Sequence, residues 1–141
     1  MKQQLTLFLL QLSIGLGSFS LHGQELSPIQ NFETKDYQGD NQNWMIAQAE
    51  NGLIYVANNE GLLEYDGSRW TLYPSPSSSI IRSVNIAGDR IYTGCFAEIG
   101  YWKKNKLGVL EYTSLKPHFD QESLKDQQFW NILEHNGWVL F

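Results

Sequence analysis

Cysteine is almost absent from this sequence. Cys95 is the single one in 141 residues, so no internal disulfide forms and the fold cannot depend on an oxidising compartment. Cys95 follows Gly94 in an apolar run and is expected to be a small buried hydrophobe. Histidine is scarce too. His118 and His135, the two that lie beyond residue 24, have no partner at metal-ligand spacing, so no zinc set exists. Charged residues make up only 18% of the chain, with a formal net charge of -5. The basic residues are scattered apart from Lys103, Lys104 and Lys106, which are expected in a solvated turn. No direct nucleic-acid contact by this segment is therefore expected. Neither a G-x-S-x-G nor a P-loop pattern occurs. Glu60, Glu64, Glu98 and Glu134 are read as turn acids rather than a glycosidase pair. No catalytic residue, metal site or cofactor is expected, and the chain is not expected to be an enzyme.

Apolar and aromatic residues are plentiful, at 42% and 13% of the chain. That is enough for one modest core. The first apolar run, residues 5–16, follows Met1-Lys2 and precedes the small residues Gly17, Ser18, Ser20 and Gly23. This layout is that of a secretory signal peptide, assigned to residues 1–24, with cleavage after Gly23 or Gln24 favoured over Ser20. The run is too short and interrupted for a comfortable membrane span. The chain is expected to be exported and periplasmic. Residues 25–43 read as an extended lead-in, with an edge strand around 29–32, a segment able to complete the last blade of a ring.

From Trp44 onward the chain alternates short apolar runs with turn signals. Asn51-Gly52, Asn59-Glu60-Gly61 and Asp66-Gly67 divide residues 44–73 into four strands. The connector "PSPSSS" cannot lie inside a sheet. Four more strands are expected over residues 80–113: 80–86, 91–95, 99–102 and 107–113. A second connector with a short helix at 120–125 follows, and residues 129–141 restart the pattern. Residue identities recur along with the spacing. Ile54-Tyr55-x-Ala57 is echoed by Ile91-Tyr92-x-Gly94. Gly61, Leu62 and Tyr65 are echoed by Gly100 and Tyr101. Trp44-x-Ile46 followed by Gly52 is echoed by Trp130-x-Ile132 followed by Gly137. Four-stranded units repeating at about 40 to 45 residues are the propeller signature. The expected fold is all-β: propeller blades at 44–73 and 80–113 and a partial blade at 129–141, about two and a half blades of an incomplete ring. The chain breaks off in mid-strand at "WVLF", so it is expected to be the N-terminal part of a longer propeller, unstable when expressed alone because the remaining blades are its partners.

The stretch "NWMIAQAENGLIYVANNEGLLEYDG" resembles the two-component-regulator propeller repeat. Trp44, Ile46, Glu50, Gly52, Ile54, Tyr55, Gly61, Leu62, Tyr65 and Asp66 fill its places. Tyr55 stands where the family usually has Trp, and Ala57-Asn58 where it has Gly-Thr. The resemblance covers residues 44–141, about two thirds of the chain, and its repeat residues are structural. It implies the periplasmic sensor region of a transmembrane regulator that carries a triple-tyrosine domain, one membrane helix and a LuxR-type helix-turn-helix. Related proteins end in a histidine kinase. None of those segments is present here, so contact with the membrane is expected only through a downstream helix. The alternative is an exported propeller scaffold that binds glycan or protein without signalling output.

Two features bear on an unknown small-molecule or glycan ligand. Arg82 falls on an otherwise apolar strand face and is a candidate for reaching the central channel, against the plainer reading of a charge paired with a neighbouring acid. Tyr73, Phe96, Tyr101, Trp102 and Trp130 lie near strand ends and loops, where aromatic faces stack on ligands, with Tyr101 and Trp102 the favoured pair beside Arg82, although packing between blades is the commoner role of such residues.

Overall fold

The computed structural model describes residues 27–76 and 78–141. The signal peptide assigned to residues 1–24 lies outside them. Residues 27–32 carry no helix or strand, so the edge strand expected at 29–32 does not form.

From Asn31 the chain builds two four-stranded antiparallel sheets and a hairpin. Strands β1 (Asn43–Gln48), β2 (Ile54–Asn58), β3 (Gly61–Tyr65) and β4 (Trp70–Pro74) form the first sheet in sequence order. Strands β5 (Ser83–Ala87), β6 (Arg90–Gly94), β7 (Ile99–Lys104) and β8 (Leu110–Ser114) form the second in the same order. Strands β9 (Leu133–His135) and β10 (Trp138–Leu140) pair as a hairpin. These are the four-stranded blades expected from the repeat. The turns are the ones the sequence marks. At Asn51-Gly52 the glycine takes φ +86°, a conformation that side chains resist. At Asp66-Gly67 the Asp66 carboxylate accepts the Arg69 and Ser68 backbone amides at 2.7 and 2.8 Å, which hold it below the usual carboxylate range.

Period-two alternation gives each blade a forward and a backward face. Tyr55, Ala57 and Leu62 of the first blade face forward onto Ile81, Val84, Ile91, Cys95, Trp102 and Leu110, and this inter-blade layer is the main core. The repeat is kept in register. Tyr55 faces forward, and so does Tyr92, whose ring meets Phe141 at 6.2 Å. Ile54 and Ile91 both face backward. The third unit is tied to the second by backbone and side chain. Ser83 Oγ donates to the Phe129 carbonyl at 2.7 Å, and Asn85 Nδ2 to the Ile132 carbonyl at 2.9 Å. Gly94 must be glycine here, because a Cβ would come within 2.5 Å of Ser83 Oγ and 2.6 Å of Phe129 Cβ.

The backward face of the first blade is covered from an unexpected direction. Helix α1 (Thr34–Tyr37) and the residues before it place Tyr37 and Phe32 on Val56, Leu63, Ile54, Trp70 and Leu72. Phe32 meets Tyr65 and Trp70 edge-on at 5.1 and 5.3 Å, and Tyr65 stacks on Trp70 at 4.7 Å. From Phe32 on, the lead-in thus covers the face of the first blade that a preceding blade would otherwise meet. Ile46, on the inner strand of that same face, stays 67% exposed. Buried Asn58 anchors the lead-in to the blade (0% exposed). Its Nδ2 donates to the Asp40 and Gln42 carbonyls and to Asn43 Oδ1 at 2.7, 3.1 and 2.8 Å; its Oδ1 accepts the Asp40 and Glu60 amides, each at 3.0 Å.

Further boundaries differ from expectation: Pro74, expected in the connector, closes edge strand β4 opposite Gly61, and β8 starts at Leu110 rather than at residue 107. Residues 80–82 and 129–132 carry no strand, so the ladders start later, at Ser83 and Leu133. Lys103 and Lys104 are not turn residues: β7 runs through them, and they pair with Asp89 and Glu64 at 2.6 and 2.9 Å. The connector after β8 holds a 3₁₀ turn (Lys116–His118) as well as the expected helix α2 (Gln121–Leu124), which Asp120 caps.

Candidate functional site

Each unit begins with an inner strand, and three residues meet where these strands begin. Trp44 is the second residue of β1, at a bulge between Asn43 and Met45. Arg82 immediately precedes β5, and Trp130 lies in the segment that leads into β9. Arg82 is fixed by its own backbone amide, which donates to the Gly94 carbonyl at 2.9 Å. Its guanidinium carbon lies 4.7 Å from the centre of the Trp44 ring and 4.4 Å from that of Trp130. The two indoles meet edge-to-face, centres 5.6 Å apart at 72°. The cation therefore rests in the corner of two aromatic walls rather than between parallel plates. Each such contact is worth about 0.5 to 2 kcal/mol, the larger value when water is excluded.

The corner is braced from behind. Trp44 Nε1 donates to Asn59 Oδ1 at 2.8 Å, and Asn59 Nδ2 donates to Asp40 Oδ2 at 2.9 Å. Arg82 forms no salt bridge among the described residues; the ion pairs there are made by Lys35, Lys103, Lys104 and Lys125. Its Nε is buried and has no hydrogen-bond partner. The plainer reading of Arg82 as an acid-paired charge does not describe this geometry. Trp44 and Trp130 remain 38% and 48% exposed, so indole surface is open beside the cation.

The residues expected to share a ligand do not converge. Tyr101 lies on β7, its ring 5.9 Å from Tyr92 and covered by the Arg90 guanidinium at 4.4 Å. Trp102, its neighbour on the same strand, points into the inter-blade core and is 4% exposed. There it donates to Thr93 Oγ1 at 3.0 Å and packs on Tyr112 and Tyr73 at 5.0 and 6.1 Å. A ring so covered offers no face to a ligand, so Trp102 is an inter-blade packing residue. Its place beside Arg82 belongs to Trp130, one of the aromatics expected near strand ends, and to Trp44, which the repeat pattern marks only as structural. The available signal was register: all three precede or open an inner strand.

The other ionisable groups are engaged inside the blades. Glu64 accepts the Tyr55 hydroxyl at 2.8 Å and pairs with Lys104 of the next blade at 2.9 Å. Glu98 accepts the Tyr112 hydroxyl and Ser114 Oγ at 2.9 and 2.6 Å. Burial first, and then these carboxylates, raise the Tyr55 and Tyr112 hydroxyls well above the ordinary tyrosine value. Burial pushes the Cys95 thiol up to about 12, which suits packing and not nucleophilic attack. Among the described residues no group of three His, Cys, Asp or Glu side chains is placed to hold a metal ion, and no helix is long and apolar enough to cross a membrane. No protein-family model, curated protein or solved structure matches this chain.

Proposed function

We propose that this chain is the N-terminal ligand-sensing propeller portion of an exported signalling regulator, with a transmembrane helix and a LuxR-type helix-turn-helix supplied by a longer protein. The reading is carried by the Trp44–Arg82–Trp130 corner. A propeller whose inner strands only closed a ring would have no need of an unpaired guanidinium there, since an unpaired, partly buried cation is costly to hold. Blades built from repeat residues with no chemistry of their own agree with a sensor and not with an enzyme. The likeness of residues 44–66 to the two-component-regulator propeller repeat supplies the signalling half of the proposal.

A scaffold without output is the second reading. It is favoured by the apolar surface of the last hairpin, where Leu133, Trp138 and Leu140 are well exposed and suit a protein partner or a further blade. The genomic coding sequence that surrounds this chain separates the two. The regulator reading expects a triple-tyrosine domain, an apolar stretch of about 20 residues and a helix-turn-helix in the same frame. Further blades followed by a stop codon would refute it in favour of the scaffold.

A further inference from the structure

We infer that the Trp44–Arg82–Trp130 corner binds a carboxylate carried on a ring-shaped small molecule. The inference rests on the ligand-sensing reading and specifies its ligand. Its first support is the state of the cation. Among the described residues Lys104 pairs with Glu64 across the inter-blade contact, and Lys103 pairs with Asp89 within the second blade. Arg82 has aromatic faces in place of an acid, and its Nε is buried without an acceptor. Indoles stabilise the charge but accept no in-plane hydrogen bond, so the N–H fork keeps its donors for a planar two-oxygen acceptor.

Charge decides which oxyanion suits the corner. One guanidinium balances one negative charge. A phosphate monoester carries about -1.5 to -2 at neutral pH, and no second cation joins Arg82 among the described residues. The excess charge would face a chain of net charge -5. A carboxylate matches the site one to one. At the other end of the inner strands an open groove carries Glu50, Asp89 and Glu134 together with Arg90, and Asp89 is paired with Lys103, so the acids there exceed the cations by one and the Arg82 end is the more favourable to an anion. The ring requirement comes from the walls. Trp44 and Trp130 keep 38% and 48% of their surface open, and their faces meet at 72° beside the cation. A flat apolar or sugar ring attached to the carboxylate can lie on an indole while the oxygens take the fork.

The test is titration of the full chain with glucuronate and benzoate, and with their uncharged counterparts glucose and benzyl alcohol. Glucose 6-phosphate is the phosphate arm. Binding is read by isothermal calorimetry and by tryptophan emission, since two of the five tryptophans form the corner. At least one carboxylate is expected to bind saturably, its neutral counterpart not, and the phosphate more weakly. Arg82→Met is expected to weaken binding on the order of tenfold to a hundredfold, the range for losing a charged hydrogen-bond partner. Arg82→Lys, which keeps the charge and loses the fork, is expected to fall between, with circular dichroism showing both variants folded. Equal binding of acid and neutral compound, tighter binding of the phosphate, or unchanged affinity in folded Arg82→Met would overturn the inference. No response to either carboxylate would overturn it too. Neutral-sugar binding that depends on Trp130 and not on Arg82 would overturn the carboxylate while leaving the sensor reading standing. The sensor reading falls separately, on the surrounding coding sequence.

Discussion

Replacing Asn58 tests whether the lead-in is an integral part of the first blade. Asn58 is fully buried, and its amide serves three acceptors and two donors. Its two amide hydrogens are shared among three oxygens, so the group is worth about four bonds rather than five. At about 1 kcal/mol net for each bond, and with some of the orphaned carbonyls of residues 40–42 regaining water, Asn58→Ala should cost about 3 kcal/mol. Asn58→Asp is the sharper variant. It keeps the volume and the accepted bonds but sets a carboxylate against the Asp40 and Gln42 carbonyls and Asn43 Oδ1. It is therefore expected to be less stable than Asn58→Ala at neutral pH and to recover partly as the pH falls and the new carboxyl is protonated. Urea unfolding followed by tryptophan emission gives the order, and hydrogen exchange at the Asp40 and Glu60 amides shows where the loss occurs. Exchange should speed up at both amides in Asn58→Ala, which leaves them without this acceptor, and less so in Asn58→Asp, which keeps it. An Asn58→Ala chain within about 0.5 kcal/mol of the parent, or an Asp variant as stable as the Ala variant, would refute the assignment of Asn58 as the anchor of the lead-in.

Alkaline pH should weaken the fold through its buried tyrosines. Tyr55, Tyr112 and Tyr73 all have hydroxyls raised by burial above the ordinary value of 10.0. A raised native value means that the folded state holds the proton more tightly. Their contribution is intact below the unfolded value near pH 10 and is lost as the pH climbs toward the native values, at up to about 1.4 kcal/mol per pH unit for each group. Thermal melts between pH 8 and 11 check this, and a flat profile, or one unaltered by Tyr55→Phe with Tyr112→Phe, would count against it. Cys95, with its thiol pushed up to about 12 and buried, should react with an aromatic disulfide reagent at pH 8 far more slowly in the native chain than in urea; equal rates would refute its burial. Gly94→Ala should destabilise by about 2 kcal/mol or more through overpacking against Ser83 and Phe129. Gly52→Ala should cost only about 1 kcal/mol, for its strained φ in open space, and denaturant midpoints that reverse that order would show the third unit to be loosely held.

The blades were legible because their signals are local. Gly52, Gly67, Gly88, Gly108 and Gly137 all take the positive φ that a tight turn requires, and the apolar runs between turns alternate with period two. What escaped depended on contacts distant in sequence. Helix α1 is only four residues long, too short to carry a helical period, and it exists because Tyr37 finds Trp70 at 5.9 Å. Lys103 and Lys104 read as a solvated turn until Asp89 and Glu64 are brought across to them. Trp102 and Trp130 look alike in the sequence, each next to a loop. Tyr73 and Tyr112, from strands β4 and β8, decide that the first is interior. Arg82 was legible as an anomaly on an apolar face and Trp130 as an aromatic near a strand end, but their meeting with Trp44 was not, because the two indoles come from the units on either side.

The division of labour within each blade explains why an unpaired cation is tolerated at this place. The inter-blade core is made by the middle strands, the inner strand and the residue before Arg82: Tyr55, Ala57, Leu62, Ile81, Val84, Ile91 and Trp102. The side chains of Trp44, Arg82 and Trp130 lie outside that core, although Ile81 and Val84 on either side of Arg82 belong to it, so this one position can change without removing a core side chain. Trp44 and Trp130 hold that place in the first and third units, and Arg82 holds it in the second. A third tryptophan there would join the partly exposed Trp44 and Trp130 in a purely apolar patch, with the association hazard such patches carry. An arginine gives the walls a charge to stabilise and gives a ligand a directional partner. Arg82→Trp therefore separates architecture from function. The blades should keep their stability to within about 1 kcal/mol, since a partly exposed site outside the core is being changed, while carboxylate binding disappears. A large loss of stability in that variant, read from urea midpoints, would show that Arg82 holds the blades together and would remove the reason for assigning it to a ligand.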